Sequence, residues 1–323
     1  MERKNVHGPH PSNSNAMVSK SILNESQPNS VNFESQDMER KETWRRKKIA
    51  IQGYPGSFHD EVCHQYFDDL AESIPADSFD LLAKMLSGGE VDAAVMAIEN
   101  SIAGTILQNY RILREYGFWI VGERYLRIKH NLLAYPGSKI EDIREVHSHP
   151  MALNQCLKFL RNYPEIKLVE TEDTALSALR IMENKSADIA SVSSIKAAEL
   201  YGLDVLGSEI ETSKSNYTRF FILERKNKNK NDQADKASIY IRIPDVKGQL
   251  LKVLQVIHDH DLNMSKLQSF PVLGQIREYF FHLDIEFDTM NQYKNLKEDL
   301  MVFTQEYTEL GIYKKDDIKK MLN

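Results

Sequence analysis

The stretch Asn216-Tyr217-Thr218-Arg219-Phe220 places polar and charged side chains directly before an apolar segment, where such groups are costly unless they are used. The hydroxyl of Thr218 is a neutral hydrogen-bond donor that does not ionise fully near neutral pH. It would therefore assist the departure of a leaving group by hydrogen bonding, and it would not act as a base. The guanidinium of Arg219 is permanently charged, and it could hold a substrate carboxylate or pair with a structural acid.

Four further positions combine a hydroxyl with free backbone N–H groups at turns that follow short apolar strands. They are Ser57 before Phe58, Ser101 after Glu99-Asn100, Thr174 and Ser191. In open parallel sheets, ligands bind beyond the carboxyl ends of the strands, where helix N-termini converge. Each turn alone is better explained as a helix N-cap. The four together indicate an anion site, and a carboxylated substrate clamped between two lobes would fit it.

Length and composition limit the class of protein. The chain has 323 residues, which suggests about two domains. Forty-seven acidic residues against 41 basic ones give a net charge of -6, which argues against a nucleic-acid binder. No apolar run approaches the ~20 residues of a membrane span, and no secretory signal or disulfide framework is visible around the two cysteines. We therefore expect a cytoplasmic protein with small-molecule partners, without nucleic acid or membrane.

Two breaks in composition divide the chain. Residues 1–44 are rich in Asn, Ser, His, Glu and Pro and predict a disordered arm, and residues 226–236 have the composition of a linker. In residues 45–225, short apolar strands alternate with amphipathic helices, and this pattern is doubled. It predicts an α/β unit of two lobes, with a crossover near 127–130 and a return near 205–220.

Residues 237–315 predict strand, helix, strand, strand, helix and strand, which is the βαββαβ order of a ferredoxin-like domain. Residues 316–323 remain as a tail. The first helix of this domain should face its sheet with apolar residues at helical spacing, namely Leu250, Leu251, Val253, Leu254 and Ile257.

Helix punctuation supports the predicted elements. Ser78 is expected to cap the start of one helix and Gly88-Gly89 to follow its last turn. Pro150 stands where a proline is tolerated in a first turn, and Gly202 should end another helix.

Six short motifs stand in order along the chain: Gly53 to Phe58 (GYPGSF), Ile98 to Gly104 (IENSIAG), Ser148 to Leu153 (SHPMAL), Asp173 to Ala175 (DTA), Tyr201 to Leu203 (YGL) and Asn216 to Phe220 (NYTRF). With these motifs in order, the chain resembles the prephenate dehydratase family with a C-terminal ACT regulatory domain. The resemblance covers about Lys47 to Tyr313. It implies a catalytic domain of two lobes that are similar to type II periplasmic binding proteins, a reaction without cofactor or metal, and assembly as a homodimer or homotetramer.

The resemblance also implies residue roles. Thr218 matches the family's essential threonine, and Glu99 belongs to its E-N-S motif, so we expect both at the catalytic centre, with Thr218 donating to the departing hydroxyl and Glu99 orienting neighbouring donors. The ring pocket is expected at Phe58 and Phe220, although each is also explained as core. The predicted carboxylate and site contacts are Ser57, Asn100, Ser101, Thr174, Ser191, Asn216 and Arg219.

Phenylalanine is the expected effector, although the C-terminal domain departs from the family pattern. The usual Gly-Ala-Leu turn stands here as Gly248-Gln249-Leu250, and the usual Glu-Ser-Arg-Pro stretch as Gln268-Ser269-Phe270-Pro271. Asn263 completes the predicted effector set. The function expected is dehydration and decarboxylation of prephenate to phenylpyruvate; arogenate dehydratase and a non-catalytic amino-acid sensor remain as alternatives.

Overall fold

The computed structural model of the protein describes most of the chain from residue 47 onward. The arm predicted for residues 1–44 lies outside the described residues, as do residues 227–232 of the predicted linker. Within the described part, no helix is long and apolar enough to cross a membrane. The described ranges are 47–68, 71–226, 233–272, 274–275 and 278–317.

Strands and helices alternate through the first two thirds of the chain, as the sequence predicts. The strands are β1 (Lys48–Gln52), β2 (Glu72–Ala76), β3 (Ala93–Asn100), β4 (Gly104–Thr105), β5 (Trp119–Arg127), β6 (Asn131–Ala134), β7 (Glu145–Ser148), β8 (Lys167–Glu170), β9 (Ile189–Ser193), β10 (Asp204–Gly207), β11 (Tyr217–Glu224), β12 (Lys236–Arg242), β13 (Asn263–Pro271), β14 (Tyr279–Glu286) and β15 (Glu306–Tyr313). The helices are α1 (Phe58–Phe67), α2 (Phe79–Gly88), α3 (Leu107–Tyr116), α4 (Pro150–Leu160), α5 (Thr174–Asn184), α6 (Ile195–Tyr201), α7 (Gln249–Asp259) and α8 (Met290–Phe303).

Two sheets form the two lobes. The first lobe has a six-stranded sheet in the order β2-β1-β3-β11-β5, with β4 paired to β3, and the second lobe has a five-stranded sheet in the order β10-β6-β9-β7-β8. β1 pairs in parallel with β2 and β3, whereas β11 runs antiparallel between β3 and β5. The chain leaves the first lobe after β5 and returns to it with β11. This arrangement confirms the predicted α/β fold of two lobes.

The predicted helix caps are confirmed except at Gly88, which is the last residue of α2 and does not follow it. Ser78 caps α2 by accepting a hydrogen bond from the backbone N–H of Leu81, and Gly89 ends this helix in the left-handed conformation. Pro150 lies in the first turn of α4, and Gly202 is the C-cap of α6.

β3 and β11 lie in the middle of the first sheet because their apolar residues are buried on both faces. Phe220 and Ile222 pack into the cluster on the side of α1, whereas Phe221 and Leu223 pack into the cluster on the opposite side. The opposite cluster also contains Tyr313 of β15. One face of the first lobe is therefore covered by the C-terminal sheet.

The C-terminal module, residues 236–313, has an antiparallel four-stranded sheet in the order β13-β14-β12-β15. Its element order confirms the predicted βαββαβ fold. β15 lies so close to β5 that a Cβ at Gly311 would collide with the backbone of Ile120, which explains the glycine there.

The predicted apolar face of α7 is wrong at one position. Val253 and Ile257 are buried, but Leu251 is 67% exposed. Residues spaced by three or four share a helix face, whereas Leu251 is two residues from Val253 and therefore points away from the sheet.

The two lobes touch where α1 begins, and the contacts come from both ends of α6. The hydroxyl of Ser194 donates to the backbone carbonyl of Gly56 at 2.5 Å, and the hydroxyl of Tyr201 donates to the carbonyl of Pro55 at 2.5 Å. These bonds fix one side of the cleft between the lobes.

Candidate active site

Asn100 and Thr218 form the centre of the candidate site. They are direct cross-strand partners, Asn100 at the end of β3 and Thr218 near the start of β11. The Asn100 amide Nδ2 donates to Thr218 Oγ1 at 2.9 Å, and its Oδ1 accepts from the backbone N–H groups of Ile102 and Ala103 at 2.9 and 2.8 Å. The amide is therefore held in one orientation, with its donor on the threonine hydroxyl.

The hydroxyl of Thr218 keeps a hydrogen to donate. Its oxygen accepts from Asn100, and no acceptor for its O–H group lies among the described residues. Thr218 is 8% exposed, so the group lies in a largely dehydrated position. An accepted hydrogen bond polarises a hydroxyl and makes it a better donor.

A polar chain connects this pair to the second lobe. Asn100 Nδ2 also donates to Asn216 Oδ1 at 2.8 Å, and Asn216 Nδ2 donates to Gln155 Oε1 at 2.9 Å. Gln155 lies on α4 of the second lobe, and His130 Nε2 bonds the same Gln155 oxygen at 2.9 Å. The predicted residue Asn216 is thus the link that joins the lobes beside Thr218.

Gln155 and His130 are the two residues of this hydrogen-bonded chain that the sequence did not lead us to predict. Gln155 stands inside a helix, where an amide usually faces solvent, and His130 stands in a basic stretch between two strands. Burial lowers the pKa of His130, although its bond to Gln155 works in the opposite direction. Its Nδ1 atom is buried without a partner among the described residues.

Ser101 fixes the entry of the chain into β11. Its hydroxyl accepts from the backbone N–H of Tyr217 at 2.9 Å and donates to the carbonyl of Ser215 at 2.9 Å. Both hydrogen-bonding capacities are used within the protein. Ser101 supports the strand that carries Thr218.

The predicted anion site at the helix starts is not assembled as expected. Ser57 caps α1, its Oγ accepting from the backbone N–H of Asp60 at 3.3 Å, and it is buried. Thr174 begins α5, but the cap is Asp173, a carboxylate that would repel an anion. Side chains of the protein itself accept hydrogen bonds from the backbone N–H groups at these helix starts. This is the outcome that the N-cap explanation predicts.

Ser191 does not begin a helix. It lies within β9, fully buried, and its hydroxyl has no hydrogen-bond partner among the described residues. The cap of α6 is Ser194. The prediction put the capping hydroxyl of this turn at Ser191, three residues too early, because β9 continues to Ser193.

An acidic cavity of ≈ 300 Å³ lies next to these helix starts. Burial raises the pKa of Asp173, and at Gly53 a Cβ would collide with the Asp173 carboxylate. Like charges repel at short range, so this cavity suits a dicarboxylate poorly. Its lining residues are Gln52, Gly53, Tyr54, Asp77, Glu172 and Asp173.

The two predicted ring-pocket residues differ in placement. Phe58 is half-buried, and its ring meets the ring of His130 edge to face at 5.4 Å, close to the polar chain. Phe220 is 1% exposed and packs into the core, with the ring of His59 edge-on at 5.0 Å. Phe220 is therefore core beneath Thr218, which corrects the ring-pocket role predicted for it.

His59 is a neutral histidine behind the site, and it gives a testable pH dependence. Burial lowers its pKa from 6.5 to about 3, and its Nε2 accepts from the backbone N–H of Ala97 at 3.3 Å. Between these two pH values the unfolded chain binds a proton on His59 that the folded chain excludes. The free energy of unfolding therefore decreases as the pH falls below 6.5. We expect His59→Gln to reduce the slope of unfolding free energy against pH by up to about 1.4 kcal/mol per unit in this window.

Urea unfolding at a series of pH values measures that slope. His258→Gln changes an exposed histidine of α7 and is the control, which should keep the wild-type slope. Equal slopes for wild type and His59→Gln would mean that His59 is not excluded from protonation.

Arg219 and Glu99 point away from Thr218, which corrects both predicted roles. Successive side chains of a strand alternate between its faces. Arg219 Nη1 lies 2.5 Å from Asp284 Oδ2, and Glu99 Oε1 lies 2.9 Å from Lys266 Nζ, both partners being in the C-terminal module. Of the two roles considered for Arg219, the structure therefore shows the ion pair with a structural acid and not the contact with a substrate carboxylate. Glu99 does not contact the threonine hydroxyl.

Arg219 is the centre of a buried charge cluster. Its Nε donates to Glu123 Oε2 at 2.8 Å, and Lys236 Nζ donates to Glu123 Oε1 at 3.0 Å. Arg219, Glu123 and Asp284 are each at most 2% exposed. Burial alone would raise the pKa of Asp284, but the charge of Arg219 and a bond from His282 hold it well below its usual range.

The first part of the predicted effector set lies at the start of α7. Gly248 is the N-cap, with left-handed backbone, and the Gln249 amide donates to the carbonyl of Phe303 at 3.0 Å. Leu250 is half-buried.

The second part lies on β13, which is an edge strand of the C-terminal sheet. Asn263 and Ser269 are exposed, whereas Gln268 accepts from the Thr105 hydroxyl of the first lobe at 3.3 Å. Gln268 therefore faces the first lobe and does not share a strand face with Ser269.

Comparison with known proteins gives the family. The family model of prephenate dehydratase matches residues 49–228. The bifunctional chorismate mutase/prephenate dehydratase of Escherichia coli (strain K12) is 34% identical over 278 residues, which are 84% of this chain and 72% of that protein. Arogenate dehydratase/prephenate dehydratase 1, chloroplastic, of Arabidopsis thaliana is 36% identical over 225 residues. That match covers 69% of this chain and spans 57% of the plant protein.

Solved structures give the same fold. The prephenate dehydratase of Arthrobacter aurescens in complex with L-Phe has a TM-score of 0.74 and 26% identity, covering 83% of this chain and 89% of its own. A protein described as GqqA, a novel type of quorum quenching acylase, has a TM-score of 0.76 and 30% identity, covering 84% of this chain and 100% of its own. From the family match and the relatives together, the chain belongs to the prephenate dehydratase family.

Proposed function

We propose that the protein is a prephenate dehydratase, a carbon–oxygen lyase that converts prephenate to phenylpyruvate for phenylalanine biosynthesis. Prephenate loses its ring carboxylate as CO2 and its ring hydroxyl as water, with one proton taken up. The electron pair of the broken C–C bond completes the aromatic ring, which supplies the driving force. The protein has to orient the substrate and to stabilise the departing oxygen.

The observation that carries this proposal is the hydrogen bond from Asn100 to Thr218. It leaves the Thr218 hydroxyl polarised, largely buried and with a hydrogen that the described residues do not accept. Such a group stabilises negative charge on a leaving oxygen without having to ionise. Asn216 and Gln155 join the two lobes next to it, so closure around a substrate would fix both sides of the cleft.

For substrate binding we propose the side of the cleft formed by Phe58, His130 and Gln155. Phe58 offers an apolar surface for the ring, and Gln155 offers an amide to an oxygen of the substrate. Strong binding is better directed at the pyruvyl carboxylate of prephenate than at its ring carboxylate. The ring carboxylate has to leave as neutral CO2, and strong binding of it would stabilise the ground state.

We further propose that the C-terminal module is an ACT regulatory domain that responds to phenylalanine. The limits would be those expected from the sequence, 45–225 for the catalytic domain and 237–315 for the regulatory one, in a homodimer or homotetramer. The support is the βαββαβ order and the L-Phe complex of the Arthrobacter aurescens relative. Gly248, Asn263 and exposed Ser269 remain the proposed effector contacts.

A comparison of two substrates tests the proposal. We expect a higher kcat/KM for prephenate than for arogenate, and we expect L-phenylalanine to lower the rate, with D-phenylalanine as the control. Phenylpyruvate is followed by its absorbance and phenylalanine by chromatography. A higher kcat/KM for arogenate would make the protein an arogenate dehydratase, and ligand binding without turnover of either substrate would make it a sensor.

A further inference from the structure

The residues next to the candidate catalytic pair are bound to the C-terminal module. Glu99 precedes Asn100 in β3, and Arg219 follows Thr218 in β11. The two charged residues are cross-strand partners, as Asn100 and Thr218 are. At this point the first sheet therefore carries the candidate catalytic pair on one face and a pair of opposite charges on the other.

The C-terminal module presents the complementary charges. Lys266 of β13 contacts Glu99 Oε1 at 2.9 Å and also donates to the Thr105 hydroxyl at 2.9 Å. Asp284 of β14 contacts Arg219 at 2.5 Å. Because the charges alternate in sign on both surfaces, a shifted register would bring like charges together, and one docking position is selected.

The inner of the two salt bridges, between Arg219 and Asp284, leaves both side chains little freedom to move. Asp284 also accepts from the Ser238 hydroxyl at 2.5 Å and from His282 Nε2 at 3.0 Å, while Arg219 is also held by Glu123. Buried charged groups with all their partners in place have one low-energy geometry. Movement of β14 would therefore move Arg219 and, through one peptide unit, Thr218.

We propose that Glu99 and Arg219 are positioning residues through which docking of the C-terminal module holds the Asn100–Thr218 hydrogen bond in its catalytic geometry. The inference rests on the proposed function for its kinetic readout. It gives the family-motif glutamate a role from the face of the sheet opposite the substrate. It also assigns Lys266 of the C-terminal module to the control of turnover.

Lys266→Met tests the proposal at the outer, half-buried bridge, where the loss of one charge is least disruptive to folding. Misplacement of a catalytic group by about 1 Å costs up to ~100-fold, so we expect kcat for prephenate to fall about tenfold or more. KM should change by less than about threefold, because Lys266 does not touch the substrate cleft. Lys266→Arg retains the charge and should restore most of the loss.

Lys297→Met is the matched control. Lys297 contacts Glu309 Oε1 at 2.9 Å, the same distance as in the Lys266 bridge, but both residues lie within the C-terminal module. This variant should keep the wild-type kcat. In addition, Lys266→Met should cost little in a Thr218→Val background, because a residue that acts through Thr218 loses its effect when the hydroxyl is gone.

Hydrogen exchange gives a readout that does not depend on turnover. The amides of β11 from Tyr217 to Phe221 should exchange faster in Lys266→Met than in wild type or Lys297→Met. Unchanged exchange in β11, equal kcat in Lys266→Met and Lys297→Met, or full additivity with Thr218→Val would each overturn the proposal. If wild type fails to convert prephenate, the proposed function falls, and the exchange comparison still decides the positioning role.

Discussion

Thr218→Val should lower kcat for prephenate by about 100- to 1000-fold, the range found when one preorganised hydrogen-bond donor is removed. Valine has nearly the shape of threonine, so the strand pairing and the core around Phe220 stay filled. Asn100 keeps Asn216 as an acceptor for its amide after the change. The loss should therefore fall on kcat, with KM changed by less than about threefold.

Thr218→Ser is the matched control because serine retains the donor. It should keep kcat within about tenfold of wild type, the difference reflecting the freedom of the smaller side chain. Thermal unfolding of both variants establishes that they are folded. If the valine and serine variants lose activity equally, the hydroxyl is not the donor that the geometry indicates.

Asp284→Asn should lower the free energy of unfolding by about 3 to 5 kcal/mol, the cost of leaving a buried charge uncompensated. The change removes one carboxylate beside Arg219, and Glu123 is then left to balance both Arg219 and Lys236. The loss should be largest above the usual pKa of an aspartate. Since the folded-state pKa of Asp284 is depressed, its contribution is present above pH ~4 and declines as the pH falls further.

Urea unfolding of the purified variant at pH 7 measures this effect. Glu115→Gln removes an exposed partner of Arg111 on α3 and should change the unfolding free energy by less than about 0.5 kcal/mol. A loss of less than about 1 kcal/mol for Asp284→Asn would mean that the cluster is hydrated and does not fasten the C-terminal module to the first lobe.

The fold is well predicted from the sequence because its signals are local. Serine caps, a proline in a first turn and glycines at helix ends fix the limits of α2, α4 and α6 within a few residues. The continuous apolar runs of β3 and β11 predict buried central strands. Leu251 shows the limit of this reasoning, because an apolar residue within a helical pattern is buried only when it shares the face of its neighbours.

The candidate site is predicted less completely because it depends on distant pairs. Thr218 and Asn216 follow from their position before an apolar strand, but one partner of Arg219 is Asp284, 65 residues along the chain. The alternation of strand faces is a signal that the sequence already contains. Since Thr218 and Arg219 are adjacent in one strand, as are Asn100 and Glu99, only one member of each pair can face the cleft.

Gln155 shows what the sequence alone does not provide. Nothing near it distinguishes a buried amide from an exposed one on a helix. Its role depends on how the second lobe closes against Asn216 of the first lobe. The same applies to the caps Asp173 and Ser194, whose exact positions depend on where β8 and β9 end.

Dehydratase activity is tested by measuring the formation of phenylpyruvate from prephenate by the purified wild-type protein, in buffer treated to remove metal ions and without nucleotide. We expect turnover that follows saturation kinetics, with CO2 and phenylpyruvate released in equal amounts. Prephenate that binds but is returned unchanged would contradict the assignment of Asn100 and Thr218 as a dehydratase centre.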